Sequence, residues 1–392
     1  MAGHLPTRLR SAVGRWPYAA QVSAFSLLLT LLLAACLSRG PVPGDGSTYA
    51  QMAAHPTVFA CGVVDAPCGP WGYRLLTPWL VHVLPLPRLF GFWLITVLSL
   101  TGAATALGLL CRATGLSPRA GLGAAGLFLL SYASTFDLYD YRRIDPLAYC
   151  AMAFVLLCLA RRQFMLAGAC ILVATLDKEC GLFLLPIFVL ALLRERARDA
   201  RYRLTAFCLG VLLPIMAYWI VRHWPGFGNG ALERFYGEQS TWSIVGFIRA
   251  NMVAAHSTLV AALVNALGAL WLVAVLGWNR ARPIMFLSLL LIPPVFAQLL
   301  FATDWERMLA YATLPVIPFV VAALEALPPR RWYACIALLG ASESVGLTLL
   351  LGASASLPPW ALVAGDLPLV AVLSVAIIVL AAPWTRRHAV CT

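Results

Sequence analysis

Charged residues are scarce in this sequence. They make up 11% of its 392 residues, whereas 61% are hydrophobic. Such a composition excludes an intrinsically disordered chain and an ordinary soluble enzyme. Several apolar stretches approach the roughly 20 residues that an α-helix needs to cross a bilayer. The composition therefore predicts an all-α, polytopic membrane protein.

Lysine is nearly absent, because Lys178 is the single lysine among 28 basic residues. The abundance of alanine, glycine and leucine beside so many arginines is typical of a GC-rich bacterial genome. Codon bias is the simple explanation for the missing lysines. Together with the apolar stretches, the bacterial composition predicts the inner membrane of a bacterium as the location.

Several catalytic motifs are also missing, namely H-E-x-x-H, a C-x-x-C zinc spacing, G-x-S-x-G and a Walker lysine. Their absence argues against a zinc hydrolase, a serine hydrolase of that type and a P-loop enzyme. GLGAAG, residues 121–126, matches a dinucleotide fingerprint in letters only, since it lies inside an apolar span. Small residues there indicate close helix packing. No cofactor is required by these patterns.

Apolar runs predict about twelve spans, with a range of 10 to 13, in a single transmembrane domain over residues 1–392 with no separate soluble domain. The predicted spans are 19–37, 89–110, 120–136, 147–160, 164–176, 182–193, 204–221, 253–277, 284–301, 309–326, 333–351 and 367–383. The runs at 164–176 and 182–193 are short for upright crossings.

The basic residues fall mainly on one side of this map. Eighteen of the 28 lie in alternate loops or at the termini, with only two acids beside them, while twelve of the 16 acids lie in the opposite loops. By the positive-inside rule both termini are cytoplasmic, and the long loops 38–88 and 222–252 are periplasmic. The net charge of +12 therefore reflects topology and does not indicate a nucleic-acid partner.

The first outer loop, 38–88, contains two further features. GYRLLTPWLVHVLP carries apolar residues at helical spacing and predicts an interfacial helix. Cys61 and Cys68 are a disulfide candidate, because an oxidising compartment would permit that bond. The alternative is two unpaired thiols.

Charged residues recur in four stretches that the topology places on the outer surface. These stretches hold Asp45 with Tyr49, FDLYDYRRIDP at 136–146, LDKECG at 176–181 and DWERMLAY at 304–311. The candidate binding residues in them and in the first loop are Tyr49, Arg74, Asp137, Asp140, Arg142, Arg143, Lys178, Glu179 and Arg307. Asp137 and Asp140 become metal ligands only if the reaction uses a divalent ion.

This set of groups suits transfer of a sugar from a lipid phosphate. A carboxylate removes the proton of an attacking hydroxyl, and arginine and lysine hold a phosphate and stabilise its charge as it leaves. A membrane position is useful, because the lipid tail stays between helices.

Each candidate also has a purely structural interpretation. Asp45 could cap the helix that begins near Ser47, and Asp137 and Asp140 could cap or solvate a loop. For Asp145, which precedes a proline, capping is favoured. The cations have structural alternatives as well. Lys178 could pair with Glu179, and Arg307 could form a surface pair with Glu306.

The sequence resembles the GT-C superfamily of integral-membrane glycosyltransferases, which includes protein O-mannosyltransferases and the aminoarabinose transferases of lipid A. GDGSTYAQMA stands where members carry an acidic residue after the first helix. LDKECGLFLLP, DWERMLAYATLPVIP and YRLLTPWL resemble other stretches of members. The chain departs from the family in having Asp-Gly rather than Asp-Glu in the first loop and no large outer C-terminal domain.

The resemblance implies a GT-C-like fold, a polyprenyl-phosphate sugar donor and inversion at the anomeric carbon. It implies that Asp45 is the general base and that Lys178 and Arg307 lie near the donor phosphate. The acceptor is left open among a glycan, a lipid and a protein. Two other functions are also left open: a transporter or flippase for a lipid-linked or anionic solute, and a non-catalytic assembly subunit.

Overall fold

The structure, a computed structural model, describes residues 17–38, 45–55, 74–195, 198–223, 262–263, 266–280, 282–299 and 305–352. Every regular element in these ranges is helical, which confirms the all-α prediction. The α-helices are α1 (Tyr18–Leu37), α2 (Asp45–Ala54), α3 (Leu76–Val83), α4 (Arg88–Ala113), α5 (Pro118–Leu130), α6 (Tyr132–Tyr139), α7 (Asp145–Ala160), α8 (Phe164–Asp177), α9 (Leu185–Arg194), α10 (Ala200–Phe207), α11 (Leu213–His223), α12 (Leu270–Leu276), α13 (Pro283–Ser288), α14 (Ile292–Gln298), α15 (Trp305–Leu309), α16 (Thr313–Leu324) and α17 (Pro329–Gly352).

Short helical segments of other types continue several of these helices. Glu179–Leu184, Trp278–Arg280, Leu289–Leu291 and Ala310–Ala312 are 3-10 helical, and Cys208–Leu212 is a π-helical turn that joins α10 to α11.

Four helical stretches of the described chain are long and apolar enough to cross a membrane. They are Tyr18–Leu37, Arg88–Ala113, Ala200–Val221 and Arg307–Leu324, and α5 with α6 makes a fifth if this pair, bent by 45°, counts as one span. Asp145–Ala160, Phe164–Asp177 and Pro283–Gln298 are shorter apolar helices. The total of about twelve spans stays a prediction. The predicted span 367–383 and part of 253–277 lie outside the described residues.

The bend between α5 and α6 has a local cause at Ser131. This residue takes an extended conformation, so the helical hydrogen-bond ladder is interrupted there. The hydroxyls of Ser131 and Ser134 donate to the carbonyl oxygen of Phe128 at 2.7 and 2.8 Å. The backbone N–H of Ser131 also donates to this oxygen, at 3.2 Å, so the carbonyl left at the helix end is satisfied.

The centre of the bundle is α16. All twelve of its residues are buried, and it packs against α4, α5, α7 and α12. A helix that is apolar on every side is stable only when it is surrounded, so this segment forms the middle of the described bundle.

The helices give the bundle two chemically different ends. At one end, Arg119 donates to the backbone oxygen of Glu325 at 2.7 Å, and Arg162 pairs with Glu195 at 3.5 Å. We call this the arginine end. At the other end, α2 and α3 pack on the start of α4 around Tyr49 and Val81 in a small apolar core of their own. The helix predicted in the first outer loop is thus present as α3, while its position at a membrane interface stays a prediction.

Candidate active site

Asp145 is the centre of a buried ionic cluster at the end opposite to the arginine end. It is the first residue of α7, and its carboxylate is fully buried. Arg307 Nε donates to Oδ2 at 2.6 Å, the Tyr311 hydroxyl donates to Oδ1 at 2.5 Å, and the Lys178 ammonium also binds Oδ1. Lys178 is itself fully buried, with its ammonium 4.8 Å from the centroid of the Tyr311 ring.

The capping interpretation of Asp145 is wrong. Ile144 occupies the cap position of α7, and its side chain makes no capping hydrogen bond. Pro146 lowers the need for a cap by one group, since a proline in the first turn has no N–H to satisfy. The Asp145 carboxylate is left to bind partners that are 33, 162 and 166 residues away.

The pairings suggested by chain proximity are also wrong for two cations. Lys178 binds Asp145 rather than its neighbour Glu179, and Arg307 is buried against Asp145 rather than exposed in a surface pair. Burial strengthens the attraction between such charges, because little water screens them.

Arg74 forms a second cluster beside the first. Its guanidinium binds both carboxylate oxygens of Glu179, at 3.2 Å from Nε and 2.7 Å from Nη2, and Nη1 donates to the Tyr49 hydroxyl at 2.9 Å. This two-pronged geometry fixes the orientation of the guanidinium. Arg74 interacts electrostatically with Arg307, and Glu179 with Lys178, so the two clusters adjoin.

The charge of Arg74 determines the acidity of Glu179. Burial alone would raise the pKa of the Glu179 carboxyl, but the adjacent guanidinium and its hydrogen bonds outweigh that effect and lower the pKa from 4.5 to about 2. Glu179 is thus ionised at any physiological pH.

A third group surrounds Asp140, at the turn between α6 and α7. Arg142 Nε donates to Asp140 Oδ1 at 3.3 Å, and Arg143 Nε lies 3.4 Å from Oδ2. The Arg143 guanidinium also lies over the Phe136 ring, 4.2 Å from its centroid. Asp137 is buried and interacts with Arg143 and with the Asp145 cluster, and its Oδ2 accepts no hydrogen bond from a described residue.

The start of α2 lies against this third group. Asp45 is the first residue of α2, and Gly46 packs so closely that a Cβ there would lie 2.9 Å from Asp140 Oδ1 and 3.0 Å from Arg142 Cβ. The backbone that carries Asp45 therefore reaches the Asp140 group, while the Asp45 side chain is outside what the structure describes.

Asp177 fixes α3 to the end of α8. Its Oδ1 accepts from the backbone N–H of Thr77 at 3.0 Å and from the Thr77 hydroxyl at 2.7 Å, and all these atoms are buried. Arg74 lies three residues before Thr77, and Lys178 directly follows Asp177. The contact between Thr77 and Asp177 therefore holds the Arg74 cluster beside the Asp145 cluster.

All nine predicted binding residues thus lie at one end of the bundle, in three adjoining groups. Sequence reasoning missed the central role of Asp145 and the contributions of Tyr311 and Asp177. Tyr311 could have been found, because it lies four residues after Arg307 and so on the same helical face. The disulfide candidate, Cys61 with Cys68, lies outside the described residues.

A metal site is not evident in the described part of the chain, where no three His, Cys, Asp or Glu side chains are placed to share an ion. Use of a divalent ion by Asp137 and Asp140 stays a prediction.

Comparison with known proteins identifies a family. Residues 75–293, more than half of the chain, match the model of glycosyltransferase family 87. A solved structure with similarity is ArnT from Cupriavidus metallidurans bound to undecaprenyl phosphate, at 18% identity and a TM-score of 0.41, over 92% of this chain and 75% of that one. No curated protein matches significantly. The predicted glycosyltransferase class is confirmed by the family match: the chain belongs to glycosyltransferase family 87.

Proposed function

We propose that this glycosyltransferase moves a sugar from a polyprenyl-phosphate donor to an acceptor hydroxyl at the periplasmic face of the membrane, with inversion and with Asp45 as the general base. The observation that carries the proposal is the convergence of Lys178 and Arg307 on one buried carboxylate, Asp145.

The two cations suit a phosphate that gains charge as it leaves. Lys178 uses one of its three ammonium donors on Asp145 and has others to offer a phosphate oxygen. Asp145 and Tyr311 hold the cations in place before the donor arrives. Donors that are positioned in advance, in a site with little water, stabilise a developing charge more than mobile ones do.

The reaction is a single displacement. The acceptor oxygen forms a bond to the anomeric carbon on the face opposite to the phosphate. The bond from that carbon to the phosphate oxygen breaks, and its electron pair stays on the polyprenyl phosphate. The hydroxyl proton passes to the Asp45 carboxylate, and attack from the opposite face inverts the anomeric configuration.

Arg74 provides a second positive group for the donor. Its two hydrogen bonds to Glu179 and its hydrogen bond to Tyr49 hold the guanidinium in one orientation. Glu179 is a quarter exposed and borders a small opening beside Tyr218 of α11. This edge is where we place the passage between the site and the lipid around the bundle.

The test compares sugar transfer by the purified protein in lipid, using a panel of polyprenyl-phosphate sugars, for the native chain and Asp45→Asn. Loss of a general base lowers the rate by about 10²–10⁴-fold, and we expect that loss with donor binding retained. Asp199→Asn is the control, since this aspartate caps α10 at the arginine end and should not affect transfer.

Full transfer by Asp45→Asn would contradict its role as base and direct the search to Asp137 and Asp140. Loss of donor binding in Lys178→Met or Arg307→Met, with Asp45→Asn still binding, would support the division between phosphate site and base.

A further inference from the structure

A cleft of about 540 Å³ opens at the arginine end, far from the candidate active site. It lies where the turns after α4 and α7 meet the end of α9 and the start of α13. Arg162, Arg194 and Arg282 line it together with Glu195. Three cations and one carboxylate give this cleft a positive charge.

The carboxylate does not neutralise the cleft. Glu195 is buried at the base and pairs with Arg162 at 3.5 Å, whereas all three arginines are exposed. The Arg162 side chain is 72% exposed at its end of this pair, so its guanidinium can also reach a second, stronger anionic partner.

The backbone conformation of Arg162 is one that rarely carries a side chain. Its φ is +56°, and it is the only non-glycine residue with positive φ in the described part of the chain. A residue just past a helix end in this conformation is usually glycine, because a Cβ adds strain. Strain that is retained at a cleft suggests a functional reason.

An apolar groove continues from the cleft. A second depression of about 460 Å³ shares Arg194, Pro283 and Leu287 with it and runs on over Leu190 and Phe286. A charged rim that leads into an apolar groove between helices matches a molecule with an anionic head and a hydrocarbon chain. Basic pockets beside membrane helices bind anionic lipid headgroups in this manner.

We propose that this cleft binds an anionic phospholipid, with its phosphate at Arg162, Arg194 and Arg282 and an acyl chain along the groove between α9 and α13. The site is separate from sugar transfer and does not depend on the function proposed above.

The test measures phosphatidylglycerol retained by the full-length protein in native mass spectrometry, after purification in detergent and addition of defined lipid. Two variants weaken the cleft: Arg162→Gly and the double change Arg194→Gln with Arg282→Gln. We expect each to lower the affinity for phosphatidylglycerol by about tenfold, as loss of charge-assisted hydrogen bonds does.

The matched control is Arg330→Gln with Arg331→Gln, which removes two exposed arginines at the start of α17, outside the cleft. It should bind as the native chain does. Equal retention of phosphatidylcholine, or unchanged phosphatidylglycerol affinity in both cleft variants, would overturn the proposal. Competition by inorganic phosphate as strong as by the lipid would show a free-anion site and overturn the lipid assignment.

Discussion

At the scale of single residues, Asp145 has an energetic as well as a chemical role. It is the buried anion that lies against both Lys178 and Arg307. Removing one partner from such a group leaves an uncompensated charge, which costs far more than the pair contributes when intact.

Asp145→Asn should therefore destabilise the protein by about 3–5 kcal/mol, because two cations lose their counter-charge. Thermal unfolding in detergent measures this. Asp145→Asn combined with Lys178→Met should recover part of the loss, since one orphaned charge disappears with its partner. A double variant no more stable than Asp145→Asn would show that the two side chains do not act as a pair.

Glu179 gives a pH-dependent prediction. Its folded pKa, about 2, is below the unfolded value of 4.5, so the stabilisation by Arg74 is present above pH 4.5 and is lost as the pH falls towards 2. Glu179→Gln should unfold at a lower temperature than the native chain at neutral pH, and the difference should shrink over that window. A difference that is constant with pH would mean that the charge of Glu179 is not what stabilises the contact.

The sequence identified the cations of the site better than their partners. Lys178 and Arg307 could be predicted, because a lysine or arginine beside an apolar helix is costly and indicates a purpose. Asp145 was misassigned because its nearest neighbour, Pro146, supports a local explanation. Its true partners are more than 30 residues away, and no local pattern reveals them.

At the scale of elements, short helices carry the site. α2 has ten residues and α3 has eight, too few to be stable alone, so tertiary contacts must hold them. Val81 and Phe92 provide the apolar contacts, and the pair of bonds from Thr77 to Asp177 provides the polar one.

Gly46→Ala should disturb the start of α2. The added methyl would lie about 3 Å from both oxygens of Asp140, and that carboxylate is held by Arg142 and Arg143 and cannot easily move. We expect a loss of transfer on the order of 10²-fold through displacement of Asp45, with donor binding retained. Gly126→Ala is the control, since its methyl would meet only Phe25 at 3.6 Å. Similar activity in the two variants would contradict a close fit at Gly46.

Element boundaries could be predicted where hydrophobicity alone sets them. The run predicted at 19–37 is α1, Tyr18–Leu37, and the run at 164–176 is α8, Phe164–Asp177. Breaks inside runs were missed, because Ser131 and the π-helical turn at Cys208–Leu212 interrupt the hydrogen-bond ladder without interrupting the apolar composition.

At the scale of the whole molecule, the two ends of the described bundle carry different sets of charged residues. The candidate active site lies at one end and the arginine end at the other, which agrees with the division of loops by charge. Its orientation in the membrane remains a prediction from the positive-inside rule.

A pair of reporter fusions at either end of α4 tests that orientation. Alkaline phosphatase fused after Leu86 should be active, because this end is predicted to be periplasmic, and the same enzyme fused after Leu116 should be inactive. Immunoblots with equal amounts of both fusions provide the control. The reverse pattern would place the candidate site in the cytoplasm.

The buried ionic cluster around Asp145 also has a consequence for biogenesis. Asp145 and Lys178 stand at the same end of the hairpin made by α7 and α8, so the ribosome delivers both well before Arg307. A nascent hairpin thus reaches the translocon with Asp145 and Lys178 able to neutralise each other. Arg307 and Tyr311 join later, and the cluster around Asp145 acquires its net positive charge only when synthesis reaches Arg307.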